Sequence, residues 1–488
     1  MGRSIPNTRD GLYFTKRGIE GYVITLDYPS YGPVMRFCKN EKVRKELFLN
    51  ANKQSSFGEF DNTEIINTIM RKRHEQAQLL GFRNFSQFIT KRMMIGTDEN
   101  AIQFVKQIRD AAYPYFEKEV EEIRQWKREH MNNEELMPWD TTFISERIKE
   151  EQYEFNENEV RKYLPLPVCF KVLFEVYRRL YGLTFKLRED VVGWHEECQY
   201  YEIYDNEENG KQLLGGVYFD MYTRKGKING AFHNILRISH VNEEGRKILP
   251  IGVVVCNFSQ PGKDGITYLV HDEMRTFFHE SGHLMHTMLS KQRYGSLHGM
   301  SVYWDFVELP SKLMENFIYE RETFDLFKTL GNIEPLPDEL LQKIKRSRTY
   351  QKGMYCMRQM SLSKMDLELH QTYIGSNQSL DDFIEEKTKD YNIQYPIKTL
   401  SSIRHFKHLF LLTYCYASGY YSYMWAEHLE ADAFEHFKEN GVFNKEISEK
   451  FRKTILEMGG AKNPNDLFVE FRGRKPTIDA LMRKMGFN

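Results

Sequence analysis

Several things are scarce or missing in this chain, and each absence narrows what it can be. Its six cysteines, Cys38, Cys169, Cys198, Cys256, Cys356 and Cys415, are scattered with no CxxC pair. That spacing fits reduced, mostly buried thiols in a cytoplasmic protein. No apolar run approaches a membrane span. The longest, Leu249–Cys256, is strand-length and interrupted by Pro250 and Gly252. The opening MGRSIPN lacks the apolar core of a signal peptide, and Pro6 stands where a myristoylation pattern wants Ser or Thr. An excess of one charge is also missing: 68 Lys and Arg balance 69 Asp and Glu. No electrostatic case for nucleic acid or a membrane surface follows. There is no internal repeat, low-complexity segment or flexible interdomain linker.

What is present suits a large core. The chain has 488 residues, 14% of them aromatic, enough for one large helical domain over 1–488 or two helical lobes, approximately 1–190 and 191–488, flanking a cleft. Residues 1–60 read as irregular, with turn signals at Tyr28-Pro29-Ser30 and Tyr31-Gly32-Pro33. Helical periodicity follows over Asn62–Gly81, with Ile65, Ile66, Ile69, Met70 and Leu79 on one side. It returns over Asn100–Met131, from Trp139 to about Tyr153, and over 157–182. Strand-like alternation then marks Cys198–Tyr204, Leu213–Tyr222 and Leu249–Phe258. After Phe306 the pattern is helical to the C-terminus. The expected fold is mainly α, with a small β-sheet region just ahead of one distinctive helix.

That helix contains HESGH, His279 to His283, inside the run His271–Ser290. Met274, Phe277, Phe278, Met285, Met288 and Leu289 recur at three- and four-residue steps, the signature of an amphipathic helix. His279 and His283 therefore sit one turn apart on one face, where two imidazoles can hold a zinc ion. Glu280, between them, can reach a water on that zinc. An ordinary helix with two satisfied histidines is the bland alternative. A catalytic zinc site needs a third protein ligand and an open position. WDFVELPSKLMEN, Trp304 to Asn316, offers Asp305, Glu308 and Glu315 at helical spacing; the pattern does not choose between Glu308 and Glu315. Further on, Tyr416, Tyr420 and Tyr423 are spaced to share a helical face. Such a row is more often core than catalytic, but a phenol O–H at a dry site is a good oxyanion donor.

HDEMRTFFHESGHLMH followed by WDFVELPSKLMEN resembles the thimet oligopeptidase family of zinc metallopeptidases, in its oligopeptidase A and dipeptidyl carboxypeptidase branch. The likeness extends through TLDYPSYGPVM, EQAQLLGF, MPWDTTFISERI, FDMYTRKGK, GYYSYMWAEHLEADAF and FRGRKPTIDALMR, nearly the whole chain in the family's order. The resemblance implies a zincin-type helical peptidase with one Zn2+ per chain, held by His279, His283 and Glu308. Glu315 is then left to a supporting role. It implies Glu280 as general base, Tyr416 and Tyr423 as donors to the tetrahedral intermediate, and Tyr420 as a substrate contact. His408, with His405 behind it, is the candidate for a substrate-holding histidine. The chemistry expected is zinc-assisted attack of water on a scissile carbonyl, Glu280 taking the proton and returning it to the leaving amine. The expected substrates are short unstructured peptides, cut internally or by release of C-terminal dipeptides, by a cytoplasmic monomer. A peptide chain lying along the strands Leu213–Tyr222 or Leu249–Phe258 is a further expectation.

The chain departs from the family's pattern in three places. Only about two dozen residues precede TLDYPSY, where the family usually carries a large helical region forming one wall of its channel. Tyr414-Cys415 replaces a flexible Gly-Gly ahead of the first catalytic tyrosine, which removes backbone freedom. His298-Gly299-Met300 replaces an SGT-like turn. Two competing readings follow: a relative that binds peptides but turns over poorly, and a zinc hydrolase acting on a non-peptide amide.

Overall fold

The structure, a computed structural model, describes residues 24–26, 28–153, 157–207, 210–374, 378–411 and 416–487. The part of 1–60 within these is not irregular: helices Tyr28–Phe37 and Glu41–Asn52 occupy it. Both turn signals fall inside the first of them, which carries Pro33 internally. The second helix has the clearer local cause, because Asn40 caps it by accepting from the Lys42 N–H at 3.0 Å.

Helix α1, Thr63–Leu79, ends before Gly81, which adopts a positive φ of 81°. Its buried stripe is Ile66, Met70, Arg73 and Ala77; Ile65 and Leu79 face solvent at 57% and 88% exposure. The expected stripe was off because Arg73 substitutes for an apolar residue at a core position. Its guanidinium is satisfied there by the Leu409 carbonyl at 2.8 Å. Helix α2, Asp98–Met131, is capped by Thr97, whose hydroxyl accepts from the Asn100 N–H, and Asp98 and Glu99 complement its positive end. Helix α3 spans Thr141–Tyr153. The single helix expected over 157–182 is two, Glu157–Arg161 and α4, Leu166–Tyr181, because Pro165 and Pro167 cannot continue the first. Gly182 closes α4 in the left-handed region.

The sheet has five strands: β1 Leu183–Leu187, β2 Gln199–Glu207, β3 Gly210–Tyr222, β4 Phe232–Arg237 and β5 Ile251–Phe258. Their spatial order is β1-β2-β3-β5-β4, with β3 and β5 parallel and every other neighbour antiparallel. Of these, β1 and β4 gave no clear signal in the sequence. Both lie at edges, where a strand needs no continuous apolar alternation. The separate pair His240–Val241 and Lys247–Ile248 was likewise not anticipated.

Helix α5, His271–Leu289, lies against β4 and β5, and Glu273 reaches back to accept from the Val270 N–H at 2.8 Å. Helix α6, Leu309–Phe317, crosses α5. Then come α7 Asp338–Thr349, α8 Lys352–Glu368, α9 Ser422–Asn440 and α10 Ile478–Met485.

Two large apolar groups form the core. One joins α4, the sheet, α5, α6 and α7 to the far side of α9 through Leu429, Ala433 and Phe437. The other joins α2, α3, α8 and α10 to the near side of α9 through Met424 and Ala431. Helices α2 and α8, far apart in sequence, lie side by side. Among the described residues no helix is long and apolar enough to cross a membrane.

Candidate metal centre and active site

The close approach of α5 and α6 is built on a glycine. A Cβ at Gly282 would lie 2.6 Å from Ser311 Cα and 2.7 Å from the Pro310 carbonyl oxygen. With no side chain there, the start of α6 rests on the middle of α5, and Glu308, at the N-cap position of α6, is brought over the two histidines. Glu308 Oε2 lies 3.3 Å from His279 Nε2 and 3.2 Å from His283 Nε2. The ligand atoms of His279, His283 and Glu308 all fall within 4.8 Å of one another, the one such group found among the described residues.

These distances suit a cation. Tetrahedral ligands at 2.0–2.1 Å are separated from each other by roughly 3.3 Å, as the carboxylate–imidazole pairs are here. The donor set, two imidazoles and one carboxylate, is the kind that suits zinc. His279 is fixed from behind: its Nδ1 meets Glu315 Oε1 at 2.8 Å, and the other oxygen of Glu315 accepts from Arg275 Nη1 at 3.1 Å. Such a carboxylate on the outer nitrogen sets the tautomer that leaves Nε2 free to ligate. Glu315 thus faces Nδ1, on the far side of the ring from Glu308. Against the desolvation of burial, the Glu308 and Glu315 carboxylates hold the His279 imidazole up to about 9, a measure of how strongly this pocket favours positive charge.

Glu280 is 6% exposed on the same helix. Burial pushes its carboxyl above the ordinary glutamate range, opposed by the nearby His279 and His283, and the backbone of His233 in β4 donates to it. His233 also joins β4 to α5 through Nε2 and Thr287 Oγ1, 2.9 Å apart. The site is therefore bordered by β4, one of the two edge strands of the sheet. The strands expected to receive a peptide, β3 and β5, are interior, each paired on both sides. Only an edge strand has backbone groups left to pair with a new chain.

The three carboxylates of WDFVELPSKLMEN do not share a face. Trp304 to Val307 form turns ahead of α6. Asp305 is buried away from the histidines and accepts from the N–H groups of Met94 (2.7 Å) and Ile95 (3.0 Å) and from the Tyr421 hydroxyl (3.1 Å).

The tyrosines converge, by a different geometry from the one expected. Helix α9 begins only at Ser422, and Tyr416 to Tyr421 run as turns, with Ser418 at a φ of 55°. The rings of Tyr416 and Tyr423 stack at 4.6 Å. His408 lies 5.7 Å from Tyr416, 5.4 Å from Tyr420 and 6.1 Å from Tyr423. Trp304, just ahead of Glu308, meets Tyr416 edge-on at 5.2 Å. Burial, a hydrogen bond with Tyr416 and the Glu308 charge raise the Tyr423 phenol, so it stays a donor at any physiological pH. Burial pushes His408 below the usual imidazole range. His405 makes no ring contact with this cluster. The Tyr414-Cys415 pair lies outside the described residues.

The sequence reading missed what holds these turns. Asp366, buried in α8, accepts from the N–H groups of Ser418 (2.7 Å) and Tyr420 (3.0 Å), and Asp305 holds Tyr421. The available signal was an aspartate between the apolar Met365 and Leu367, since a charge at a core position needs a partner.

Comparison with known proteins bears on this geometry. The profile of peptidase family M3 matches residues 34–487. Oligopeptidase A of Escherichia coli strain K12 is 36% identical over 479 residues, 96% of this chain and 69% of that protein. Dipeptidyl carboxypeptidase of the same organism is 28% identical over 482 residues, 97% of this chain and 69% of that one. Among solved structures, PZ peptidase A with an inhibitor superposes with a TM-score of 0.54 at 16% identity, covering 98% of this chain and 72% of that one. It shares the helical fold with its small mixed sheet.

Proposed function

The chain belongs to peptidase family M3 and is a metallopeptidase, and from that premise we propose that it cleaves short unstructured peptides with one zinc ion held by His279, His283 and Glu308. The observation that carries this reading is the set of Nε2–carboxylate distances, 3.2 and 3.3 Å, around one point beside Glu280. When bound, zinc supplies Lewis acidity toward a carbonyl and makes water a stronger acid.

The rest is the work of this chain's own groups. Glu315 keeps the His279 proton on Nδ1, so that Nε2 points its lone pair into the site. The Glu280 carboxylate takes a proton from the attacking water and delivers it to the leaving nitrogen; burial raises its proton affinity toward that task. As charge develops on the scissile carbonyl oxygen, the hydroxyls of Tyr416 and Tyr423 donate to it. A buried donor of high pKa holds its hydrogen bond without losing its proton. His408, in ring contact with Tyr416 and Tyr423, and Tyr420, in ring contact with Tyr423, line the substrate. The peptide lies extended along the free edge of β4, its backbone pairing with that strand. The catalytic unit is the whole chain, with its cleft between the two apolar packing groups, acting as a monomer in the cytoplasm.

A quenched-peptide assay and metal analysis on Glu280→Gln test the reading. The amide is nearly isosteric but does not take up a proton. Full zinc content with activity lower by orders of magnitude is expected. Turnover within a few-fold of wild type would remove Glu280 from the role of base. Mass spectrometry of the products separates internal cleavage from dipeptide release.

A further inference from the structure

A cavity of about 370 Å³ lies behind Glu315, at the seam between the two packing groups. It is walled by α3, α5, α6, α7, α8, α9 and α10, so both halves of the core contribute. Its lining is unbalanced. Five cations, Lys149, Arg275, Arg348, Lys352 and Lys484, face three carboxylates, Asp272, Glu315 and Glu427.

All three carboxylates are already engaged. Asp272 and Glu315 both pair with Arg275, and Glu427 holds Lys312 at 3.4 Å and accepts from Tyr355 at 2.9 Å. Lys484 pairs with Glu430, which lies outside the lining. Three cations remain. Among the described residues, no carboxylate forms a salt bridge with Lys149, Arg348 or Lys352. Arg348 has Asn316 Oδ1 at 2.6 Å and the face of Tyr319 at 4.3 Å; Lys352 has the face of Tyr355 at 4.3 Å.

We propose that this cavity is an anion site, taking one group of carboxylate or phosphate chemistry between Lys149, Arg348 and Lys352. Like charges around one partly enclosed space repel, and low-dielectric walls strengthen that repulsion; an anion reverses its sign. Burial lowers both Arg348 and Lys352 from their ordinary ranges, and the attraction of Glu427 for both, and of Glu315 for Arg348, offsets it only in part. The volume is ample for a carboxylate with its waters. The site communicates with the metal centre through the Arg275–Glu315–His279 chain. Two sources offer the same chemistry: a carboxylate of the substrate peptide, or a free small anion.

Calorimetric titration of the full-length protein with inorganic phosphate, in a buffer poor in other anions, tests the site. The expected result is saturable binding of one phosphate per chain that persists after the metal is chelated. Lys352→Gln should weaken it roughly ten- to a hundredfold, the loss of one charge-assisted contact. Lys149→Gln, which leaves the stacked pairs intact, should weaken it several-fold, so the test stands even where Lys352→Gln misfolds. No saturable binding, binding indifferent to both variants, or binding that disappears with the metal overturns the proposal. This arm does not depend on the peptidase reading. Peptides matched as free acid and C-terminal amide separate the sources. Phosphate competing with the acid alone assigns the site to the substrate carboxylate; an equal effect on both, without competition, assigns it to a free anion.

Discussion

Gly282→Ala adds one methyl group at the point where the metal helix meets α6. The new Cβ would sit 2.6 Å from Ser311 Cα and 2.7 Å from the Pro310 oxygen, both backbone atoms that do not rotate away. Carbon contacts are comfortable at roughly 3.5–4.0 Å, so α6 must retreat by about 1 Å. Two energies compete within the fold. Alanine is about 1 kcal/mol better than glycine inside a helix. Overpacking a tight core contact costs about 1–3 kcal/mol. The net loss of stability is therefore small, up to roughly 2 kcal/mol. The metal site has no such compensation. Glu308 rides on the displaced end of α6, and metal–ligand distances tolerate only about 0.2 Å. Zinc affinity, read by competition with a chromophoric chelator, should fall by at least about tenfold while urea unfolding of the metal-free protein shifts only modestly. Wild-type zinc affinity in Gly282→Ala would refute the claim that this glycine sets the position of Glu308.

Four further outcomes follow from the same geometry. Glu315→Gln keeps an acceptor near His279 Nδ1 but removes its charge; zinc affinity should drop about ten- to a hundredfold in the same competition assay, with the protein still folded. Glu308→Ala should abolish stoichiometric zinc binding, and full occupancy in that variant would exclude Glu308 as a ligand. Tyr423→Phe and Tyr416→Phe should each lower kcat by roughly ten- to a thousandfold with little change in KM, whereas purely structural tyrosines would leave kcat alone. Asp305, 1% exposed, is pushed up to about 6 by burial, against its three hydrogen-bond donors. Its folded form holds a proton that the unfolded chain has already released. Wild type should therefore lose stability relative to Asp305→Asn as pH rises from about 4 to 6, by on the order of 2–3 kcal/mol. Parallel unfolding curves at both pH values would contradict this.

Local patterns carried much of this protein. The period of HDEMRTFFHESGHLMH predicts α5 and the pairing of its two histidines. The alternation over Leu213–Tyr222 and Leu249–Phe258 predicts β3 and β5, though not that both are interior. What stayed hidden was set by distant partners. The pattern in WDFVELPSKLMEN made Asp305, Glu308 and Glu315 look equivalent. Their separation into a buried tether, a face on Nε2 and a face on Nδ1 arises from the crossing of α6 over Gly282. The tyrosines meet through turns held by Asp366, 50 residues upstream of Tyr416, a coupling no local period can report. Arg73 broke the apolar stripe of α1 for a similar reason: its partner, the Leu409 carbonyl, is far along the chain.

Metal removal followed by zinc titration tests the central claim most directly. The chelated protein is assayed against an internally quenched peptide while zinc is added back in known increments. The account predicts that hydrolysis disappears on chelation and returns linearly to a sharp break at one zinc per chain. Glu280→Gln should take up the same single zinc and remain nearly silent. Hydrolysis that survives complete metal removal, or a Glu280→Gln protein that recovers wild-type turnover at one zinc per chain, would contradict it.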